Sequence, residues 1–124
     1  MSRIDQDVEI ALDKIGEFEL VIVHLRDPTE KFWGLLLRLD ALGFWLRGLN
    51  LGSFDDWLGQ AASNEAQTIG LATMFVPMNR LERLFLDEQV GAVESYAQRF
   101  ERRVGISVIS YLDLSEQELN EAPS

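Results

Sequence analysis

The sequence contains no cysteine. That excludes disulfides, thiolate zinc sites, iron–sulfur clusters and cysteine nucleophiles together, and it is compatible with a reducing compartment. His24 is the only histidine. It cannot build a multi-histidine metal site, and a Ser-His-Asp triad would need partners that the sequence does not identify, so a hydrogen-bonded residue within the strands is the better reading. No GxGxxG, GxxxxGK or GxSxG pattern occurs, which removes the familiar phosphate cradles and the nucleophile elbow. No uninterrupted apolar run approaches the roughly 18 residues of a membrane span. The opening stretch MSRIDQDVEIALDKIG carries acids where a secretory leader needs a basic and then an apolar segment. These absences lead us to expect a cytoplasmic, soluble, non-enzymatic protein with no cofactor, no metal and no membrane partner.

Positive charge is also scarce, with 11 Lys and Arg against 21 Asp and Glu and a net charge of −10. Such a chain is repelled at long range by nucleic acid and by anionic membrane surfaces, which makes nucleic acid an unfavoured partner without excluding a local patch. Asp113, Glu116, Glu118 and Glu121 stand in a C-terminal stretch without a basic residue, just after Arg99, Arg102 and Arg103. Residues 113–124 therefore read as a flexible acidic tail, and 1–112 as a single domain. Asp55-Asp56 and Asp87-Glu88 are adjacent carboxylates, but neighbours in a chain point apart and neither pair has the alternating ligands of a calcium loop. Capping and solvation explain them better.

What the sequence does have is a succession of apolar runs. FELVIVHL, KFWGLLLRL and LGFWLRGL follow one another with short polar or glycine-containing breaks, which predicts a three-stranded antiparallel meander over 18–25, 31–39 and 44–49. Asp27-Pro28 and Asp40 to Gly43 supply the turns. Ile69 to Val76 and Leu81 to Leu86 read as strands four and five, joined by a tight or 3₁₀ turn at Pro77 to Arg80. Gly34 and Gly48 mark bulges or the bend that a small barrel needs to close. The expected class is α+β, mainly β: one five-stranded antiparallel bent barrel, closed, with accessory helices.

Three helices are expected around it. Ile4, Val8, Ala11, Leu12 and Ile15 recur at helical spacing after Ser2, giving an amphipathic helix over 3–14. Ser53 to Leu58 reads as a short inserted helix with Ser53 as its N-cap, followed by the mobile loop GQAASNEAQT. After Gly91, Val93, Tyr96, Ala97, Phe100 and Val104 fall on one helical face that Gly105 terminates. Periodicity does not decide whether ISVISYLDL continues as a helical turn or a strand.

The strands are apolar on both sides. In strand two Trp33, Leu35, Leu37 and Leu39 alternate with Phe32 and Leu36, and in strand three Phe44 and Leu46 alternate with Trp45 and Leu49, so both faces of the sheet must be covered. The covering is either the protein's own helices or another chain, and large aromatics are the natural anchors of the latter. The interface candidates are therefore Phe32, Trp33, Trp45 and Trp57, with Arg80 and Arg83 as polar contacts at the turn into strand five. The expected activity is protein–protein contact with a partner or with further copies of the chain, as a homo-oligomer. The other readings are an RNA-binding oligomer, and a small-ligand binder or enzyme with a pocket near Arg80 and the 59–68 loop.

Gly34-x-Leu36-x-x-x-Asp40 followed by an apolar strand resembles the first signature of Sm-like proteins, over roughly residues 3–87. The resemblance implies an N-terminal helix before a five-stranded bent barrel, with a 3₁₀ turn between strands four and five at MFVPMNRLERL. Phe44 stands where many members carry an RNA-contacting Asn. Arg80 and Arg83 lack the glycine of the Arg-Gly signature, and the Lys-His pair of the bacterial branch is missing. An SH3-like barrel of unrelated ancestry shares the same order of elements.

Overall fold

The computed structural model describes residues 18–63 and 68–113; the helix expected over 3–14 and the tail beyond Asp113 lie outside them. All five expected strands are present: β1 (Leu20–Leu25), β2 (Glu30–Leu39), β3 (Gly43–Asn50), β4 (Ala72–Pro77) and β5 (Leu81–Leu86). They form one antiparallel sheet in the order β4-β3-β2-β1-β5. Strand four starts later than the sequence suggests because Gln60 holds the backbone of Ile69. Its side-chain amide donates to the Ile69 carbonyl, and its oxygen accepts from the Ile69 N–H. Those groups are thus satisfied without a ladder.

The connectivity forces the sheet to curl. β4 ends beside the start of β3, at the Gly43–Pro77 pair, whereas β5 begins beside the end of β1, at Leu25–Leu81. These two places flank opposite ends of β2, which would stand about 30 Å apart if that strand were straight. Yet only the 3₁₀ turn Met78–Arg80 joins β4 to β5, a span of at most about 14 Å. The turn is bonded to both hairpin ends, with the Met78 N–H on the Leu42 carbonyl and the Arg26 N–H on the Arg80 carbonyl.

Two devices permit the bend. The register shifts between Leu36 and Arg38 on β2, and between His24 and Leu25 on β1, leave one residue out of each ladder. In addition Gly34 and Gly48 face each other directly. A Cβ on Gly34 would lie 2.4 Å from the Arg47 carbonyl oxygen, and one on Gly48 2.4 Å from that of Trp33. The expected bulges thus lie elsewhere, and the glycines serve close backbone approach instead. The sheet remains open, since β4 and β5 pair with β3 and β1 but not with each other. The expectation of closure is corrected to that extent: the short turn brings the two strands together at one end and then sends them along opposite edges.

Curling gives the sheet two cores. The inner face gathers Val21, Val23, Leu25, Leu36, Phe44, Leu46 and Val76, with Phe32, Leu39, Met74, Leu81 and Leu84 packed around them. Every one of these belongs to a strand, so this face is buried against itself. Leu36 and Leu39 both point inward, because the shift at Leu37 reverses the alternation that would have put them on opposite faces.

The outer face is covered by helices. A 3₁₀ turn, Leu51–Ser53, whose Gly52 amide donates to the Asn50 side-chain oxygen, leads into α1 (Phe54–Ser63). α1 replaces both the shorter helix and the first half of the loop expected after it, and Ser53 lies inside the preceding turn rather than acting as N-cap. α2 (Tyr96–Val104) starts at a Ser95/Gln98 capping box and ends at Gly105, whose φ is 94°. Val93 falls outside it, bridged to Val90 and exposed. Residues 108–113 are helical, which resolves the ambiguity of ISVISYLDL. Trp33, Leu49, Phe54, Trp57, Leu58, Phe100, Val108 and Leu112 make the outer core. Its rings form a continuous array, with Trp33 5.0 Å from Phe54 and 5.5 Å from Trp57, and Trp57 stacked at 5.1 Å on Phe100.

Candidate functional site

The residues expected to contact a partner are divided by the fold. Trp33 and Trp57 are 0% and 2% exposed and lie at the centre of the outer core, so neither can reach another chain. The protein's own helices take the area that made these two residues candidate anchors. The Trp33 indole N–H donates to the Asp87 carboxylate at 3.0 Å, and the same carboxylate accepts from the Tyr96 and Ala97 amides at the start of α2. Phe32 packs partly buried against the inner core. Of the proposed anchors, Trp45 is the one that stands out to solvent, at 45% exposure.

Arg80 is occupied at the rim. Its guanidinium donates to the Arg26 and Pro28 carbonyls and to the Glu30 carboxylate at 2.7–2.8 Å, while Arg26 returns a bond to the Asn79 carbonyl. These contacts fasten the β4–β5 turn to the β1–β2 hairpin. The cleft beside it is lined by Thr29, Glu30, Lys31, Asn50, Leu51 and Gly52 and holds about 530 Å³. Arg83 is exposed on β5 and stands opposite His24.

Strand register sorts the outer face into rows. The central rows, including Phe85–Ile22–Trp33–Leu49, run beneath or beside the helices. One flank lies beyond them at the β4 edge, where Trp45 pairs with Phe75 in register, their rings 5.4 Å apart and Phe75 44% exposed. Leu42, in the adjoining turn, is also exposed. Sequence reasoning missed Phe75 because it treated strand four only as a closing element; alternation with Val76, which is buried, was the available signal. The other flank lies at the opposite end of β2 and carries Arg83, His24 and Lys31 in one row.

Electrostatics differ between these regions. Burial pushes the His24 pKa below its ordinary value of 6.5, and repulsion from Lys31 and Arg83 pushes it the same way against the attraction of Glu82. On α2, a hydrogen bond from Arg102 holds the Glu94 carboxyl below the usual range. Arg99 bonds Asp55 of α1 at 2.6 Å and lies over the Phe54 and Tyr96 rings, so it ties α1 to α2. No group of three or more His, Asp or Glu among the described residues is placed to hold a metal ion, and no described helix is long and apolar enough to cross a membrane. Compared with protein-family models, curated proteins and solved structures, the chain matches none.

Proposed function

We propose that this chain is a non-enzymatic interaction module, a curled small barrel of the Sm-like or SH3-like kind, that associates with further copies of itself through the β4 edge and the Trp45–Phe75 pair. The observation that carries this reading is the edge itself. β4, with the sequence ATMFVP, has no charged residue, and its half-exposed Phe75 lies tilted against the half-exposed Trp45 of β3. Free edges of that composition template pairing with another strand, and proteins that stay monomeric blunt them with charge. β5, the other edge of the sheet among the described residues, offers the complementary row of backbone groups. Joining β4 of one copy to β5 of the next is a head-to-tail contact, which closes into a ring when its rotation permits.

Burying the exposed halves of Trp45 and Phe75 supplies about 2 kcal/mol each per contact, enough to make them the anchors of such an interface. The test is the native mass by size-exclusion chromatography with light scattering. The wild-type protein should run as a defined oligomer, and Trp45→Glu and Phe75→Lys should each run as a monomer with unchanged circular dichroism. A monomeric wild-type protein, or folded variants that keep the oligomer, would overturn the reading. The Sm-like RNA-binding ring is a second reading, favoured by the 3₁₀ junction at Met78–Arg80 that the resemblance implies.

A further inference from the structure

Two rows run side by side across the outer face at the end of the sheet away from Trp45. In the first, His24 on β1 is the direct partner of Lys31 on β2 and of Arg83 on β5. Direct partners share a face about 5 Å apart, so three basic groups form a line roughly 10 Å long. They do so in a protein whose net charge is −10. Lys31 and Arg83 are exposed and make no ion pair among the described residues. Two residues along the strands lies the second row, Phe85–Ile22–Trp33. Its Trp33 end is buried in the outer core, whereas Phe85 is 43% exposed and packs edge-on against the His24 ring. Like charges placed opposite one another weaken a sheet. The two rows together fit an element that sets a line of carboxylates beside an apolar stripe.

The opening segment of the chain, outside the described residues, has that pattern in its sequence. Ile4, Val8, Ala11, Leu12 and Ile15 recur at helical spacing, and Asp5, Glu9 and Asp13 fall at every fourth position. Fourth neighbours on a helix lie one above another, so these carboxylates make a row about 12 Å long along one side of the apolar stripe. Asp7 falls on its other side. Laid along the basic row, the segment cannot come from its own chain. The Leu36 N–H donates to the Glu19 carbonyl, so the chain enters β1 at the end of β2 where Arg38 pairs with Trp45. Phe18 stands six residues before His24, about 20 Å along the strand. Asp13 is five residues from Phe18, a reach of at most about 18 Å, and a helix lying on the row must also rise above the sheet. The segment that meets the row therefore belongs to a second copy.

We propose that residues 3–14 of one copy dock as an acidic amphipathic helix on the Arg83–His24–Lys31 row of another, with Asp5, Glu9 and Asp13 facing the row and the apolar stripe on Phe85. This rests on the self-association proposed above and adds an arm to it. Exposed ion pairs contribute little one at a time, so the arm acts once the β4 edge has joined two copies and raised its effective concentration. It leaves its own chain at the Trp45 flank, the side that meets the next copy. The edge supplies the apolar contact, and the arm supplies a salt-sensitive one that fixes which copy follows which.

Because the chain has no native cysteine, introduced thiols test the contact selectively. Full-length chains carrying Glu9→Cys are mixed with mass-tagged full-length chains carrying Lys31→Cys and oxidised at about 50 mM salt. The disulfide-linked heterodimer should form about fivefold faster than it does from Asp7→Cys with Lys31→Cys, since Asp7 lies off the acidic row. At about 1 M salt its rate should fall about fivefold, because exposed pairs are screened. Trp45→Glu in both chains should slow it about tenfold, by removing the contact that brings the arm close. An oligomer in which Glu9→Cys and Asp7→Cys link equally fast, or linking indifferent to salt, overturns the arm and leaves the β4 edge standing. An intrachain disulfide in a chain carrying both Glu9→Cys and Lys31→Cys overturns the assignment to a second copy. Rapid linking in a protein of monomeric native mass supports the arm and overturns the edge reading, and a monomer that does not link overturns both.

Discussion

Replacing Asp87 by Ala should be the most costly single change of a partly exposed residue, because one carboxylate serves three donors from two elements. Its oxygens accept the Trp33 indole N–H at 3.0 Å and the Tyr96 and Ala97 amides at 2.9 Å each. Trp33 is fully buried, so its N–H would be left without a partner, at about 1–3 kcal/mol. The two amides open the first turn of α2 and would be rehydrated only in part, and losing a cap of that kind costs about 0.5–2 kcal/mol. Together these give a loss on the order of 3 kcal/mol. In urea, with a slope of about 1.5–2 kcal/mol per molar for a domain of this size, the midpoint should fall by roughly 1.5–2 M with the slope unchanged. Asp87→Asn keeps one acceptor oxygen and should lose about half as much. In a Trp33→Phe background the Asp87→Ala change should cost about 1 kcal/mol less, since the orphaned donor is already gone. A midpoint shift below about 0.5 M for Asp87→Ala, or no coupling with Trp33→Phe, would refute the reasoning.

Gly34→Ala should prevent native folding or cost about 3 kcal/mol or more, because its Cβ would meet the Arg47 carbonyl oxygen at 2.4 Å and the Gly48 Cα at 2.5 Å, and both are backbone atoms that cannot swing aside. A soluble Gly34→Ala protein with wild-type melting temperature would show that β2 and β3 do not approach as described. His24 gives a pH signature. Its pKa is depressed in the folded chain from an ordinary 6.5, so the unfolded chain binds a proton first, and the native state loses stability as pH falls through about 6.5 toward the lower folded value. Because His24 is the only histidine, the melting-temperature gap between wild type and His24→Gln should shift in favour of the variant between about pH 8 and pH 5.5. A gap independent of pH would refute a His24 pKa lowered by burial and by repulsion from Lys31 and Arg83.

The strands were legible because each combines an apolar run with turn chemistry at its ends: Asp40 closes its hairpin by accepting the Leu42 and Gly43 amides, as an Asx turn does. The helix face of α2 was legible at Tyr96, Ala97, Phe100 and Val104, all of which pack on the outer core. Its start was not read correctly, although Ser95-x-x-Gln98 is a capping-box pattern; the apolar Val93 extended the periodicity past a stronger local signal. Side-chain direction in β2 was beyond reach, since period-two counting fails after the shift at Leu37 and nothing local announces that shift. The role of Trp33 and Trp57 was hidden for a related reason. An aromatic that anchors an interface and one that anchors a helix have the same composition around them, and the difference lies in what the chain later folds over them.

Among the described residues that covering is incomplete along β2, which explains where the two exposed flanks lie. A curled sheet has more area outside than inside, and the outer face follows ten residues of β2, about 30 Å of strand. α1 and α2 have ten and nine residues, about 15 Å of helix each. With the helical residues 108–113 they cover the middle, around Trp33 and Leu49, and among the described residues both ends stay exposed: Trp45 beside Arg38 at one, His24 beside Lys31 at the other. The sequence treats these ends differently. One carries a tilted pair of rings next to an uncharged edge, the other three basic groups in one row next to a cleft. If incomplete cover were merely tolerated, polar neutral residues would serve equally well at both, and replacing Trp45 and Phe75 by Thr would raise solubility without changing native mass. If the aromatic end is an interface, the same double substitution must dissolve the oligomer while the melting temperature of the isolated subunit stays within a few degrees of the wild type.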